Sequence, residues 1–439
     1  MSTPTPPNLS HDLSPSLSPS LSGASWLKEP DTQKIMQTLG QDAVRVVGGC
    51  VRDALRGLDV TDIDMATTHP PEDVRDKLTA AGFKVIPTGI AHGTVTVVAS
   101  ERHYEITTLR EDIETDGRHA KVRFGQDWQA DAERRDFTVN ALYADCDGTV
   151  FDPLAACGTS GLADLEEQVV RFIGNPDTRI AEDYLRVLRF FRFSAHLQSD
   201  APDDASLKAC ARAATQKEGL LALSGERLAQ EIFKLLAHPN APQALELMQQ
   251  AGLLPFIFPF MPAMDVQNNR LASLIDIQAT QFFEADTLLR LAALCPDNKA
   301  VVNQLSEKLR LSKKQTQRLT GALDASHQPV CYMSARDMRR MLYVLGREAF
   351  IDRCFLIWAM DEKTNNAVQW RALIAMATSW AKPDFPLTGA MMKTAGVPEG
   401  PEMGRVSAEV ERWWIDSDFT DDMFSIIERL KAVVQATIL

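Results

Sequence analysis

No apolar run in this 439-residue chain is long enough for a membrane-spanning helix. Its seven cysteines include no C-x-x-C pair, which argues against structural zinc and for reduced thiols in the cytoplasm. No GxxxxGK[ST] string is present, so a Walker-type phosphate loop is left out. No internal repeat occurs. Positive charge is in short supply, with 46 Lys and Arg against 59 Asp and Glu and a net charge of −13. That balance speaks to solubility and nonspecific binding, and it is silent on local patches. The N-terminus lacks the basic start and long apolar core of a signal peptide. Its Ser-, Pro- and Leu-rich residues 1–25 read instead as a disordered tail.

What is present is normal for a globular protein, 45% hydrophobic and 24% charged, and too long for one ordinary domain core. From residue 26 to 157 the pattern is mixed. Thr94 to Ala99 and Tyr104 to Leu109 alternate like strands, and a helix runs from near Pro71 to Gly82. From 158 onward the pattern is helical, as in Glu226 to Ala237 and Ala241 to Ala251, with a break at Gly252 and Pro255. Composition shifts again near His327, and a Pro- and Gly-bearing stretch from Ala381 to Glu402 precedes a last helical segment.

The most informative stretch is Val47-Gly48-Gly49-Cys50-Val51-Arg52-Asp53-Ala54-Leu55, followed by Asp62-Ile63-Asp64. Ala43 to Val47 reads as a buried strand, and Val51 to Leu55 as the first turns of a helix. Paired glycines let the backbone turn sharply and approach a ligand. The free N–H groups of a helix start suit phosphate oxygens, and Arg52 offers a bidentate contact to the same anion. Alternation along a strand puts Asp62 and Asp64 on one face with Ile63 in the core. Two carboxylates so close invite a cation, and hard oxygen ligands suit Mg2+. A tight turn followed by a capped surface loop is the plainer alternative.

Three further stretches carry chemistry. In Tyr104 to Arg110, Glu105 is either a third carboxylate near the metal or an exposed strand residue. Arg134-Arg135-Asp136-Phe137-Thr138-Val139-Asn140-Ala141-Leu142 offers Arg135 to a phosphate, Asp136 to a ribose hydroxyl or a neighbouring Arg, and Asn140 to backbone or ribose. Ile180 to Phe193 reads as one helix bearing Asp183, Arg186, Arg189 and Arg192. Its three-residue steps drift, so these four groups cannot form one compact site. Glu111 to Arg134, rich in charge, reads as a mobile loop. Lys308, Arg310, Lys313, Lys314 and Arg318 form a basic cluster, and Arg336, Arg339, Arg340 and Arg347 a second. Each is either a solvated helix face or a set of RNA phosphate contacts.

GGCVRDALRG…DIDMAT resembles the signature of the class II template-independent nucleotidyltransferases, the tRNA CCA-adding enzymes and bacterial poly(A) polymerases. RRDFTVNAL is similar to the family's second motif, and EDYLRVLRFFRF to its base-selecting motif. The resemblance covers residues 42 to about 237. It implies an α+β fold: a polymerase-β-like head with a mixed sheet and helices over 26–157, a helical neck over 158–237 and a helical body and tail over 238–439. It implies that Asp62 and Asp64 bind Mg2+, that Gly48, Gly49, Arg52, Arg135, Asp136, Asn140, Arg189 and Arg192 hold the triphosphate end, and that Asp183 and Arg186 read the base. An acceptor–donor pair of that kind fits cytosine or adenine and rejects uracil and guanine.

Thr88-Gly89-Ile90-Ala91-His92-Gly93-Thr94-Val95-Thr96-Val97 resembles a strand entry typical of CCA-adding members, with His92 placing a turn. Gly225 to Ile232 resembles the family's last motif, a structural helix. The 111–134 loop is linked, by resemblance alone, to switching from C to A addition. No His-Asp pair follows the N-terminal tail, so the phosphohydrolase domain of some relatives is not expected. The implied activity is addition of CCA to tRNA from CTP and ATP, by a cytoplasmic monomer or homodimer. Poly(A) synthesis, or addition of CC or A alone, is the alternative within the family.

Overall fold

The computed structural model describes residues 19–90, 93–99, 102–116, 119–199, 202–258, 265–361 and 363–438. Most of the expected N-terminal tail and His92 lie outside them. The chain divides into two compact units, residues 1–223 with 250–256, and residues 224–249 with 257–439. The division falls at Ser224, inside the segment assigned from the sequence to a neck.

The first unit is built on a seven-stranded mixed sheet in the order β3-β4-β5-β2-β1-β8-β9. The strands are β1 (Val44–Val47), β2 (Ile63–Thr67), β3 (Lys84–Gly89), β4 (Thr94–Ala99), β5 (Arg102–Thr108), β8 (Tyr143–Ala144) and β9 (Val150–Phe151). Only β2 and β5 run parallel; every other neighbouring pair is antiparallel. Helices α1 (Pro30–Leu39), α2 (Gly49–Leu55) and α3 (Pro71–Ala80) belong to the same unit. α3 starts on Pro71 with Glu72 and Asp73 in its first turn and stops before Gly82, as Pro at a helix start and early acids favour.

Two expectations are corrected here. The segment expected as a mobile loop holds a two-stranded antiparallel ribbon of β6 (Arg110–Asp116) and β7 (His119–Phe124), then helix α4 (Trp128–Glu133). Charge density hid its strands, because a two-stranded ribbon buries little and so shows little apolar alternation. The expected tail also ends early. Ser20 pairs with Thr149, the Leu21 amide donates to the Gly148 carbonyl at 2.7 Å, and Leu21 is buried.

Helices α5 (Gly161–Glu166), α6 (Pro176–Glu182), α7 (Leu185–Leu197) and α8 (Asp204–Gln216) complete this unit's main elements. Phe137, Phe172, Phe190 and Phe193 pack as one aromatic cluster at the root of α7, with Phe172 and Phe190 stacked 5.8 Å apart. Every secondary-structure element among the described residues of the second unit is a helix. Its C-terminal part has a core of Tyr343, Val406, Val410, Trp414, Ile426 and Leu430. Among the described residues no helix is long and apolar enough to cross a membrane.

Candidate active site

β1 ends at Val47, and the chain turns at Gly48, whose φ of 75° and ψ of −122° suit glycine alone. A Cβ there would sit 3.5 Å from both the Arg135 guanidinium and the Asn140 carbonyl. α2 begins immediately at Gly49, earlier than the sequence suggested. The backbone of the turn is therefore close to Arg135 and Asn140, ninety residues further along the chain.

Asp62 lies just before β2 and Asp64 within it, and both are exposed on either side of the buried Ile63, with Met65 buried next along the strand. Alternation delivers the carboxylate pair as expected. Parallel pairing sets Asp64 opposite Glu105 on β5. Glu105 is also exposed. Although the Asp64 carboxylate is open to solvent, the protein around it, then Glu105 and Asp62, push it up to about 6, with Arg135 opposing them. A carboxylate pushed upward by two others beside it is short of a cation. Among the described residues no ready-made cage of three or more acidic, His or Cys side chains exists. That is the donor set for an ion that takes one or two carboxylates and completes its shell with phosphate oxygens and water.

Arg52, expected to meet phosphate, is turned into the protein and buried. Its Nε and Nη2 donate to the two Asp53 oxygens at 2.9 and 2.8 Å, and Nη1 donates to Asn140 Oδ1 at 2.6 Å. Asn140 Nδ2 in turn donates to Asp136 Oδ1 at 3.0 Å, and Arg189 Nε donates to Asp136 Oδ2 at 2.7 Å. Burial works against the Asp136 charge, but Arg189, Asn140 and the Phe137 amide hold it at about 2. Of the two roles open to Asp136, the structure shows it orienting an Arg. Arg135 is gripped by Asp131 Oδ2 at 3.1 Å and the Tyr143 hydroxyl at 3.1 Å. Asp131 was missed by the sequence reading. It is buried and also takes Arg134 Nε at 2.8 Å and the Tyr143 hydroxyl at 2.8 Å. Two arginines within one turn of a helical Asp were the available signal.

The single helix expected over 180–193 is broken. α6 ends at Glu182, Asp183 is extended at φ −156° and ψ 105°, and α7 starts at Leu185. Asp183 Oδ1 accepts from the Leu185 amide at 3.1 Å, so the carboxylate caps the second helix. Arg186 Nη1 donates to the Arg179 carbonyl at 2.8 Å and pairs with Glu182. Glu182 also takes Arg179, whose guanidinium reaches the Arg135 carbonyl at 2.6 Å. Arg179 and Glu182, absent from the sequence-derived set, thus tie Arg186 to the RRD segment. Arg192 stacks on Phe193 at 4.1 Å.

In the second unit Lys313, Lys314 and Arg310 are exposed and Lys308 half-buried. Arg318 differs. It makes a bidentate pair with the buried Asp352 at 2.8 Å twice and also meets Asp286. In the second basic cluster, Arg339 pairs with Asp418 and Arg340 with Asp416, while Arg347 donates to the Trp380 carbonyl at 2.7 Å. That cluster serves to hold the C-terminal helices.

Residues 44–171 match the family model described as Poly A polymerase head domain, and 203–264 the one described as probable RNA and SrmB-binding site of polymerase A. The mouse protein named CCA tRNA nucleotidyltransferase 1, mitochondrial, is 32% identical over 402 residues, 88% of this chain and 86% of that protein. The CCA-adding enzyme of Streptococcus gordonii is 30% identical over 394 residues, 88% of this chain and 92% of that one. The crystal structure of the Bacillus stearothermophilus CCA-adding enzyme in complex with CTP aligns with a TM-score of 0.76 at 26% identity, over 92% of this chain and 97% of that chain. Paired aspartates at the start of the sheet's central strand, a glycine turn after the strand next to it and relatives alike along nearly the whole chain have one account: the protein belongs to the CCA-adding tRNA nucleotidyltransferase family, on a Poly A polymerase head domain.

Proposed function

We propose that this chain adds CCA to the 3′ end of tRNA from CTP and ATP, releasing pyrophosphate. The observation that carries the reading is the gathering, within one compact unit, of the Asp62–Asp64 pair, the Gly48–Gly49 turn and the Asp183–Arg186 break. The relatives named CCA-adding enzymes support it, as does the likeness to a CTP complex.

Asp62 and Asp64 would hold Mg2+, with Glu105 beside them. An ion held by these carboxylates would supply charge to help ionise the attacking hydroxyl and to offset the charge of the leaving pyrophosphate. The glycine turn brings bare backbone to the triphosphate. Arg135, anchored by Asp131, and Arg189, anchored by Asp136, aim fixed cations toward it. Asp183 offers an acceptor and Arg186 donors to the edge of the incoming base. The tRNA 3′ oxygen attacks the α-phosphorus, its proton leaves to solvent, and the bond to pyrophosphate breaks. Most of the catalysis is positioning and fixed charge. Lys308, Arg310, Lys313 and Lys314 would meet RNA phosphates. The free thiols fit a reducing compartment, the cytoplasm.

The test is incubation of the purified chain with tRNA ending at the discriminator base and labelled CTP or ATP. C, C and A should be added in order, and Asp62→Ala should abolish addition. Long A tails on unrelated RNA with no C incorporated would favour the poly(A) reading. Arrest after CC, or addition of A alone, would mark a partial enzyme.

A further inference from the structure

Asp53 and His196 belong to none of the groups so far given a role in nucleotide addition. They close a polar circuit. His196 Nε2 lies 2.6 Å from Asp53 Oδ1, and Asp53 holds Arg52, which holds Asn140, which holds Asp136, which holds Arg189. Arg189 and His196 are both on α7, seven residues apart, about 20° short of two full turns. One face of α7 therefore grips both ends of a chain of side chains that runs through the first turns of α2 and the RRD segment. Phe193 fills the space between, with the guanidiniums of Arg52, Arg189 and Arg192 at 4.9, 5.4 and 4.1 Å from its ring. Arg56 adds a second tie by donating to the His196 carbonyl at 2.8 Å.

Such a circuit fixes more than stability. α2 starts at the glycine turn, and α7 carries Arg186 one turn before Arg189. Burial raises the cost of the Asp53 charge, yet hydrogen bonds from His196 and Arg52 hold it at about 2. The anion is thus permanent at neutral pH, and His196 Nε2 carries the proton that meets it. A network that is half-buried, with Arg52 and Asn140 fully so and every member engaged, specifies one arrangement more strongly than apolar contacts do.

We propose that Asp53 and His196 are positioning residues that keep α7, and with it Arg186, in register with the glycine turn, and so set the choice of nucleotide. The inference rests on the CCA-adding reading of the site. Loss of the clamp lets α7 slide relative to the turn. Base selection then suffers, because small misplacement of a positioned group costs large factors in rate.

The experiment compares wild type, His196→Ala, His196→Gln and Asp53→Asn for kcat and KM with CTP, ATP and UTP on tRNA ending at the discriminator base. His196→Ala should lower kcat/KM for CTP about tenfold or more and lower the CTP-to-UTP ratio of kcat/KM. His196→Gln, whose amide still donates to Asp53, should regain most of both. A folded Asp53→Asn should show the same fall in ratio, which keeps the test decisive if His196→Ala melts below the assay temperature. An unchanged ratio in folded Asp53→Asn, or His196→Gln as poor as His196→Ala, overturns the proposal. A wild-type chain that adds neither C nor A would instead overturn the functional reading beneath it.

Discussion

Asp64 and Glu105 stand side by side across the parallel register of β2 and β5, each exposed between buried neighbours on its own strand. The pairing sets Glu105 directly beside Asp64. If it helps hold the metal, Glu105→Gln raises the Mg2+ concentration needed for half-maximal addition by about tenfold, with kcat at saturating metal little changed. Asp64→Ala removes activity at any metal concentration. A Glu105→Gln metal titration that overlays wild type returns Glu105 to the other reading, an exposed strand residue.

Gly48 tests the turn. Its backbone lies in a region that costs other residues about 1–3 kcal/mol, while an added methyl would meet Arg135 and Asn140 only at ordinary van der Waals distance, 3.5 Å, so backbone strain is the main cost. Gly48→Ala should lower the thermal midpoint and raise KM for CTP and ATP together, since the turn touches what the two nucleotides share. A change in KM for one nucleotide alone would mean that the turn does not face the triphosphate.

Asp136 gives a pH signature. Its carboxylate is held at about 2, below the ordinary value near 3.9 in an unfolded chain. A depressed acid stabilises the fold above the unfolded value, and that contribution fades as pH falls through about 4 to 2. Urea midpoints of wild type should therefore approach those of Asp136→Asn across this window. Above pH 5 the variant should be weaker by a constant amount, with Arg189 left beside a neutral amide. A difference that persists undiminished at pH 2 would show that the charge on Asp136 contributes nothing.

These residues also mark where sequence was enough and where it was not. Asp62 and Asp64 were legible because strand alternation is local, and Gly48 because its conformation is local. The mixed head and helical remainder followed from apolar periodicity for the same reason. The internal pairing of Arg52 was only half legible, because Asp53 is its neighbour in sequence whereas Asn140 lies eighty-eight positions away. The break at Asp183 was hidden because EDYLRVLRF is helical in both composition and period, and only the cap to Leu185 ends one helix and starts the next. His196 carries no motif at all, and it is found only when the chain has folded and Asp53 has arrived beside it.

The basic residues of the second unit separate by the same logic, and they make the sharpest test. Lys313 and Lys314 point to water, whereas Arg318 is locked to Asp352 and Asp286. Asp352 is buried, and burial pushes its carboxyl upward against the pull of Arg318. Removing one member of such a pair leaves a buried charge uncompensated, at a cost of about 3–5 kcal/mol. Arg318→Ala should therefore destabilise the second unit and change tRNA affinity only through unfolding. Lys313→Ala with Lys314→Ala should leave the melting temperature alone, weaken tRNA binding and flatten its salt dependence by about one unit of slope per lost phosphate contact. Filter binding across a salt series, alongside thermal melts of both variants, measures each quantity separately. A salt slope unchanged in the double lysine variant would remove these residues from the RNA interface and leave them a solvated helix face.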